Sequence, residues 1–297
     1  VCERRDWGVS LVQGRMVGIT KSAKPGVEGS RLIHLVSSSS KILGRVLWAQ
    51  VVRAGYGGPA PSQYGFASGR SCGDAQLQKQ ETTRRLLSQG WHVMRLCLDI
   101  AQAFPSITHQ ALASVVSRWG GAAKAAGAAL LDALAHGTVM FFSPGAGDRR
   151  LYVCRGVRQG GAEGPFIFRS AYDQALEEFT ALWRACLEDR GIPADTLAWV
   201  CSGRDVDPCW GEADTTWQAD SHTITFADDC DLFLPVPRSW GPAGWASLVH
   251  EALEVFSAVL EAYGLRLNRD KVQYLPLLGR GAAGLARDLA CQSLNTG

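Results

Sequence analysis

Apolar and polar positions divide this chain into helices and strands of unequal size. "SSSSKILGRVLWAQVV" predicts a helix capped by one of its serines, with Ile42, Leu43, Val46 and Leu47 as its apolar positions. Before it, "ITKSAKPGVEGSRLIHLV" reads as two short strands around a Pro-Gly turn. "YGGPAPSQYGFASGRSCG" is a loop, and Asp74 to Gln89 has a helical composition. In "WHVMRLCLDI" alternation gives way to a nearly continuous apolar run, the pattern of a strand buried on both faces. A helix is expected after Ile107 and another in the alanine-rich stretch Gly121–Leu130. "RRLYVCRGV" reads as a strand entering a glycine turn, and "GPFIFRSAYDQALEEFTALWRACLEDRG" as a long amphipathic helix with proline near its start. Residues 190–220 read as an exposed insertion or hairpin. Two strands then flank "FADD", a helix spans about Trp245 to Tyr263, and one or two strands lie near "LRLNRDKVQYLPLL". Strands interspersed with helices in this way imply an α+β fold, an antiparallel sheet backed by helices.

Composition narrows the setting. The chain has 297 residues, 46% of them hydrophobic, enough for one large domain or two modest ones. No apolar run reaches membrane-spanning length and the start lacks a signal-peptide layout, so no membrane partner is expected. The first residue is Val1 rather than Met, and the chain is read as part of something longer. Nine cysteines occur without a CxxC pair, which favours a reducing, intracellular setting, cytoplasm or nucleus. Cys201, Cys209 and His222 match no common zinc spacing. Residues 1–98 carry 14 Lys and Arg against 5 Asp and Glu, and the remainder 16 against 23. A basic half joined to an acidic half suits a protein that grips a polyanion and also binds cations.

The chemistry concentrates in "TITFADDCDLFL", where Asp228 and Asp229 stand at the tip of an expected hairpin. Paired carboxylates outside a buried sheet suit a hard divalent cation such as Mg²⁺. One turn cannot complete such a site. Asp99, at the end of "VMRLCLD", is the best source of a further ligand if the two strands are neighbours. Two metal ions roughly 3.5–4 Å apart would then activate a hydroxyl and stabilise a leaving phosphate. The plain alternative is that Asp99 caps the helix near Ile107 while Asp228 and Asp229 form a polar turn.

Four segments, "LDIAQAFPSI", "GVRQGGAEGPFIF", "FADD" and "GLRLNRDKVQYL", follow one another at separations that resemble the reverse transcriptases of non-LTR (LINE-type) retrotransposons, and more distantly those of group II introns. Upstream, "KSAKPGVEGSRLIHLVSSSSKIL" and "YGFASGRSC" extend the resemblance, which covers about Lys21 to Leu278. It implies a right-hand polymerase: fingers over 1–75, palm over 76–110, a connection over 111–155, palm again over 156–280 with an insertion at about 190–220, and a truncated thumb or tail over 281–297. Asp99, Asp228 and Asp229 would hold two Mg²⁺ ions, with Mn²⁺ as the alternative. Lys271 would face the pyrophosphate leaving group, unless it is an ordinary strand-edge lysine. In the substrate-binding set, Phe104 would exclude a ribose 2′-hydroxyl, Gln159 and Gly160 would lie along the template and new base pair, and Arg31 would clamp the triphosphate. Lys21 and Ile100 belong to the same set. Arg158 is either a backbone or phosphate contact or a solvated arginine.

The sequence departs from this family at Pro105, where an aspartate is usual, and in "GAEGP", which keeps only Pro165 of the usual prolines and introduces Glu163. The implied activity is RNA-directed DNA polymerisation, with an RNA template, a DNA primer and dNTPs as partners. An endonuclease or other polyprotein regions would lie outside this chain. A maturase-like RNA-binding module and an RNA-dependent RNA polymerase are the alternative readings.

Overall fold

Helix starts follow local capping chemistry. In the computed structural model, which describes residues 9–20, 30–143, 147–207, 211–220, 222–279 and 284–285, Ser37 accepts the N–H of Ser40 at 3.1 Å and starts a helix. Ser71 and Asp74 form a reciprocal capping box, and Thr108 accepts the N–H of Ala111. The elements run α1 (Val9–Val12), β1 (Gln13–Thr20), β2 (Ser30–Val36), α2 (Ser38–Arg53), α3 (Cys72–Ser88), β3 (His92–Leu98), α4 (Ala103–Ser106), α5 (His109–Ser117) and α6 (Gly121–Ala135). They continue with β4 (Thr138–Ser143), β5 (Gly147–Tyr152), α7 (Gly164–Asp189), β6 (Ala198–Asp207), β7 (Gly211–Asp220), β8 (Thr223–Phe226), β9 (Asp229–Val236), α8 (Pro242–Ala262) and β10 (Gln273–Leu277).

The chain divides into two units. The first comprises Val1–Gly58, Gln102–Tyr172 and Ala262–Leu265, the second Pro59–Ala101, Asp173–Glu261 and Arg266–Gly297. In the first, the sheet order is β2-β1-β4-β5. Strands β1 and β2 form the expected antiparallel pair, β1 and β4 run parallel, and the Pro-Gly turn lies outside the described residues. Helix α2 corrects one expectation. It buries Gly44, Trp48 and Val51, while Ile42 and Val46 are 64% and 51% exposed. Aromatic packing selects the buried face: Trp48 stacks on Phe166 at 5.5 Å and meets Trp119 edge-on at 6.2 Å.

The second unit holds an antiparallel sheet of order β10-β3-β9-β8 and the separate β6-β7 hairpin, which occupies the segment read as an insertion. Strand β9 is buried at every position after Asp229, which suits its apolar run Leu232–Val236 and makes Asp231 the one charged residue in its buried part. Across one face His92 meets Trp245 of α8, and Phe179 of α7 packs edge-on against Phe256 of α8 at 5.0 Å. On the other face Val93 and Phe233 join Ala75 and Leu86 of α3 in a buried cluster. Among the described residues, no helix is long and apolar enough to cross a membrane.

Candidate active site

Strand β3 alternates buried Met94, Leu96 and Leu98 with partly exposed Arg95, Cys97 and Asp99, so the last three share one face. The strand pairs with β9 in a register that sets Leu98 opposite Cys230. One step further, Asp99 follows the end of β3 beside the start of β9 at Asp229. Strands β8 and β9 close in a tight hairpin in which Phe226 pairs with Asp229, leaving Ala227 and Asp228 as the turn. The expected neighbouring of the two strands is therefore present. Asp99 does not cap the helix after Ile107, because Thr108 does.

Asp99 is held from the chain that follows α8. Its Oδ2 accepts from Asn268 Nδ2 and from Lys271 Nζ, both at 2.9 Å, and its carbonyl accepts the N–H of Asn268 at 2.8 Å. The Asp99 and Lys271 side chains are 31% and 53% exposed. Such a solvated pair contributes only about 0–1 kcal/mol, so a stronger cation can take the carboxylate over. Asn268 was not singled out from the sequence, although it lies within "GLRLNRDKVQYL". Burial pushes the Asp229 carboxyl above its ordinary value, and the charges of Asp228 and Asp99 push it in the same direction.

Among the described residues, no three His, Cys, Asp or Glu side chains stand close enough to form a ready metal centre. Asp99 is turned instead toward Asn268 and Lys271. The donors nevertheless suit a hard divalent ion: they are carboxylate oxygens, and their mutual repulsion, felt at Asp229, is what a cation among them relieves. Cys209 of the weighed zinc set lies outside the described residues.

A fourth aspartate plays a different part. Asp231 is buried and accepts from Arg95 Nε at 2.6 Å, pairs with Lys79 Nζ, and accepts from Cys97 Sγ at 3.1 Å. Burial alone would raise its carboxyl, but these three donors outweigh burial and hold it below the usual carboxylate range. Around these groups the sheet face opens into a cleft of about 590 Å³ lined by Lys79, Arg95, Asp99, Asp229, Asp231 and Lys271. Burial, together with the Asp231 carboxylate, pushes the Cys97 thiol up to about 11. Cys97 is therefore protonated at neutral pH and weakly nucleophilic. Mass-mapped alkylation at pH 7.5 is expected to label the exposed Cys72 and Cys154 first and Cys97 roughly ten-fold or more slowly.

The remaining expected residues fall as follows. Lys21 lies outside the described residues, and Arg31 sits in β2 opposite Ile19. The Ile100 side chain is 4% exposed, so it joins the core and only its backbone is left for a substrate. In the first unit, Phe104 is half-buried and stacks on Phe168 at 4.6 Å. Gln159 accepts the N–H of His34 through its carbonyl at 2.8 Å. Gly160 has φ +130°, and a Cβ there would lie 2.2 Å from the His34 carbonyl oxygen, so only glycine fits.

Arg158 corrects two readings of it, the phosphate contact and the solvated arginine. It is 5% exposed and donates to Leu11 O, Ser40 Oγ and Ala133 O at 3.3, 2.9 and 2.8 Å. Its guanidinium serves the interior that carries the Gln159–Gly160 turn. Glu163, the acid by which "GAEGP" departs from the family pattern, is buried at 4% exposure, with its Oε2 in the place a Cβ on Gly44 would occupy.

Residues 21–279 match the family described as reverse transcriptase (RNA-dependent DNA polymerase). A curated relative, the retrovirus-related Pol polyprotein from type-1 retrotransposable element R2 of Popillia japonica, is 26% identical over 149 residues. That match covers 49% of this chain and 20% of the relative. Among solved structures, a telomerase of Candida tropicalis in complex with a telomeric RNA fragment superposes with TM-score 0.58 at 12% identity, over 93% of this chain and 42% of that one. A telomerase of Candida albicans, also with a telomeric RNA fragment, gives TM-score 0.53 at 14% identity, over 89% and 43%. At such identities the likeness speaks for the fold: helices and sheets arranged as in a polymerase palm.

Proposed function

We propose, since this chain belongs to the reverse transcriptase family, that it is an RNA-directed DNA polymerase domain extending a DNA primer with dNTPs along an RNA template. The observation that carries this reading is the β3–β9–β8 register, which brings Asp99 to the Asp228–Asp229 turn. The second unit, with its carboxylate sheet, is the palm, and the β1–β2 hairpin belongs to the fingers. The chain spans a fifth of its curated relative, and a polyprotein is the setting in which it would work.

In the reaction the primer 3′-oxygen attacks the α-phosphorus of the incoming nucleotide. The bond to the β-phosphate breaks and pyrophosphate leaves. Divalent cations, two Mg²⁺ or alternatively Mn²⁺, would lower the pKa of the 3′-hydroxyl and neutralise the phosphate charge. Asp99, Asp228 and Asp229 are the residues to hold them. Asn268 orients Asp99, and Lys271 brings positive charge toward the leaving pyrophosphate. Arg31 and Lys21 would contact the triphosphate, and Gln159 and Gly160 the template and new pair.

Phe104 would be the wall against a ribose 2′-hydroxyl, its ring held by Phe168. A pocket difference of this size discriminates by roughly 10–200-fold. Phe104→Ala is accordingly expected to raise ribonucleotide over deoxyribonucleotide incorporation by about 10–100-fold, read from paired kcat/KM values.

The test of the reading is extension of oligo(dT) on poly(rA) with dTTP, in Mg²⁺ and separately in Mn²⁺. Extension supports it. Salt-sensitive binding of primer–template without extension in either metal would favour an RNA-binding module instead.

A further inference from the structure

The turn that presents Asp228 is not shaped by its own hairpin alone. Ala227 has φ 63°, the left-handed region that a residue with a Cβ enters at a cost. A distant segment meets it there. The loop ahead of α3 runs beside β8, with Tyr64 N–H donating to Thr225 O and Thr225 N–H donating to Ser62 O, both at 2.8 Å.

From this loop comes Gln63, which is fully buried. Its Oε1 accepts the N–H groups of Ala227 at 3.0 Å and Gly65 at 2.8 Å. Its Nε2 donates to Ala227 O at 3.1 Å and to Asp173 Oδ1 at 3.4 Å. One side-chain amide thus holds the peptide groups on both sides of the left-handed residue.

The loop is built for this approach. A Cβ on Gly65 would fall 2.0 Å from the Ala227 nitrogen, so no other residue allows the backbones so close. Arg70 Nη1 braces the loop by donating to the carbonyls of Ala60, Pro61 and Gln63 at 2.6, 3.2 and 2.7 Å. Asp173 Oδ2 accepts the N–H of Ala60 at 3.0 Å.

We propose that Gln63 is a positioning residue for nucleotidyl transfer, fixing Ala227 in its left-handed conformation and so setting the direction from which Asp228 meets the divalent cation. This rests on the reading of Asp228 as a metal ligand. A buried glutamine that only supported the loop would affect folding or nucleic-acid affinity, not turnover at saturating substrate.

The test uses the full chain with Gln63→Met, which keeps length and volume but removes the hydrogen bonds. Turnover, KM for primer–template, Mn²⁺ affinity from the EPR signal of free Mn²⁺, and near-UV CD are measured together. A displaced ligand is expected to lower kcat by about 10²-fold, with KM for primer–template within about threefold. Mn²⁺ affinity should fall roughly tenfold, by analogy with the loss of outer-shell partners at metal sites. Adding Ala227→Gly should recover about fivefold in kcat, because glycine enters the left-handed region without steric cost. Should the methionine variant lose its native near-UV CD, Gln63→Asn carries the test, with kcat about tenfold lower.

Native CD with kcat and Mn²⁺ affinity both within about threefold of the unmodified chain would overturn the proposal, as would a change confined to KM. Absence of both extension and Mn²⁺ binding in the unmodified chain would fail the catalytic reading itself, and the proposal with it.

Discussion

Asp228→Ala is expected to lower single-turnover primer extension by on the order of 10³-fold or more while primer–template affinity stays nearly unchanged. The carboxylate stands in a two-residue turn between β8 and β9, and Asp99 reaches the same place from β3. If Asp228 is a metal ligand as proposed, removing it would release cation charge from the point where negative charge builds on the transferring phosphate. A thousandfold loss corresponds to about 4 kcal/mol of transition-state stabilisation, a plausible share of what bound metal supplies. Asp99→Ala should do comparable damage. The double variant should be little worse than either single one, because groups that act as a unit are not additive. Rapid-quench extension in Mg²⁺ checks this. An Asp228→Ala chain that keeps a tenth of the activity would remove Asp228 from the metal site.

Asp231→Ala should act on stability rather than chemistry. Asp231 and Lys79 side chains are 7% and 10% exposed, and Arg95 reaches the same carboxylate. Deleting the anion leaves Lys79 almost dry and facing another cation. Breaking a buried pair from one side costs about 3–5 kcal/mol, because the remaining charge keeps its desolvation penalty. For a chain of this size that corresponds to a Tm lower by roughly 10 °C, measurable by near-UV CD. Lys79→Met in the same background should recover part of the loss, since it withdraws the stranded charge. A Tm within about 2 °C of the unmodified chain would show that water compensates the cluster.

Much of the second unit was legible beforehand, for local reasons. The apolar run of β9, the hairpin signal around Asp228–Asp229 and the periodicity of α7 and α8 each depend on residues within a few positions of one another. Helix α2 was legible as a helix but not in its buried face. Ile42 and Val46 look like core by composition, yet Trp48, Phe166 and Trp119 decide which side turns inward. Arg158 shows the same limit. An arginine beside Gln159 resembles a phosphate contact until three interior acceptors are found around it.

The sequence by itself determined the family and the α+β architecture and singled out Asp99, Asp228 and Asp229 as candidates, because the order and spacing of short motifs survive as text along the chain. Only the tertiary structure decided what surrounds those carboxylates. Asn268 and Lys271 meet Asp99 across roughly 170 residues, Lys79 meets Asp231, and Gln63 meets Ala227 from 164 residues away. Such partners are common polar residues in unremarkable local contexts. Their roles come from the register of β3 on β9 and from the closeness of approach that Gly65 permits, and neither leaves a mark in the residues nearby.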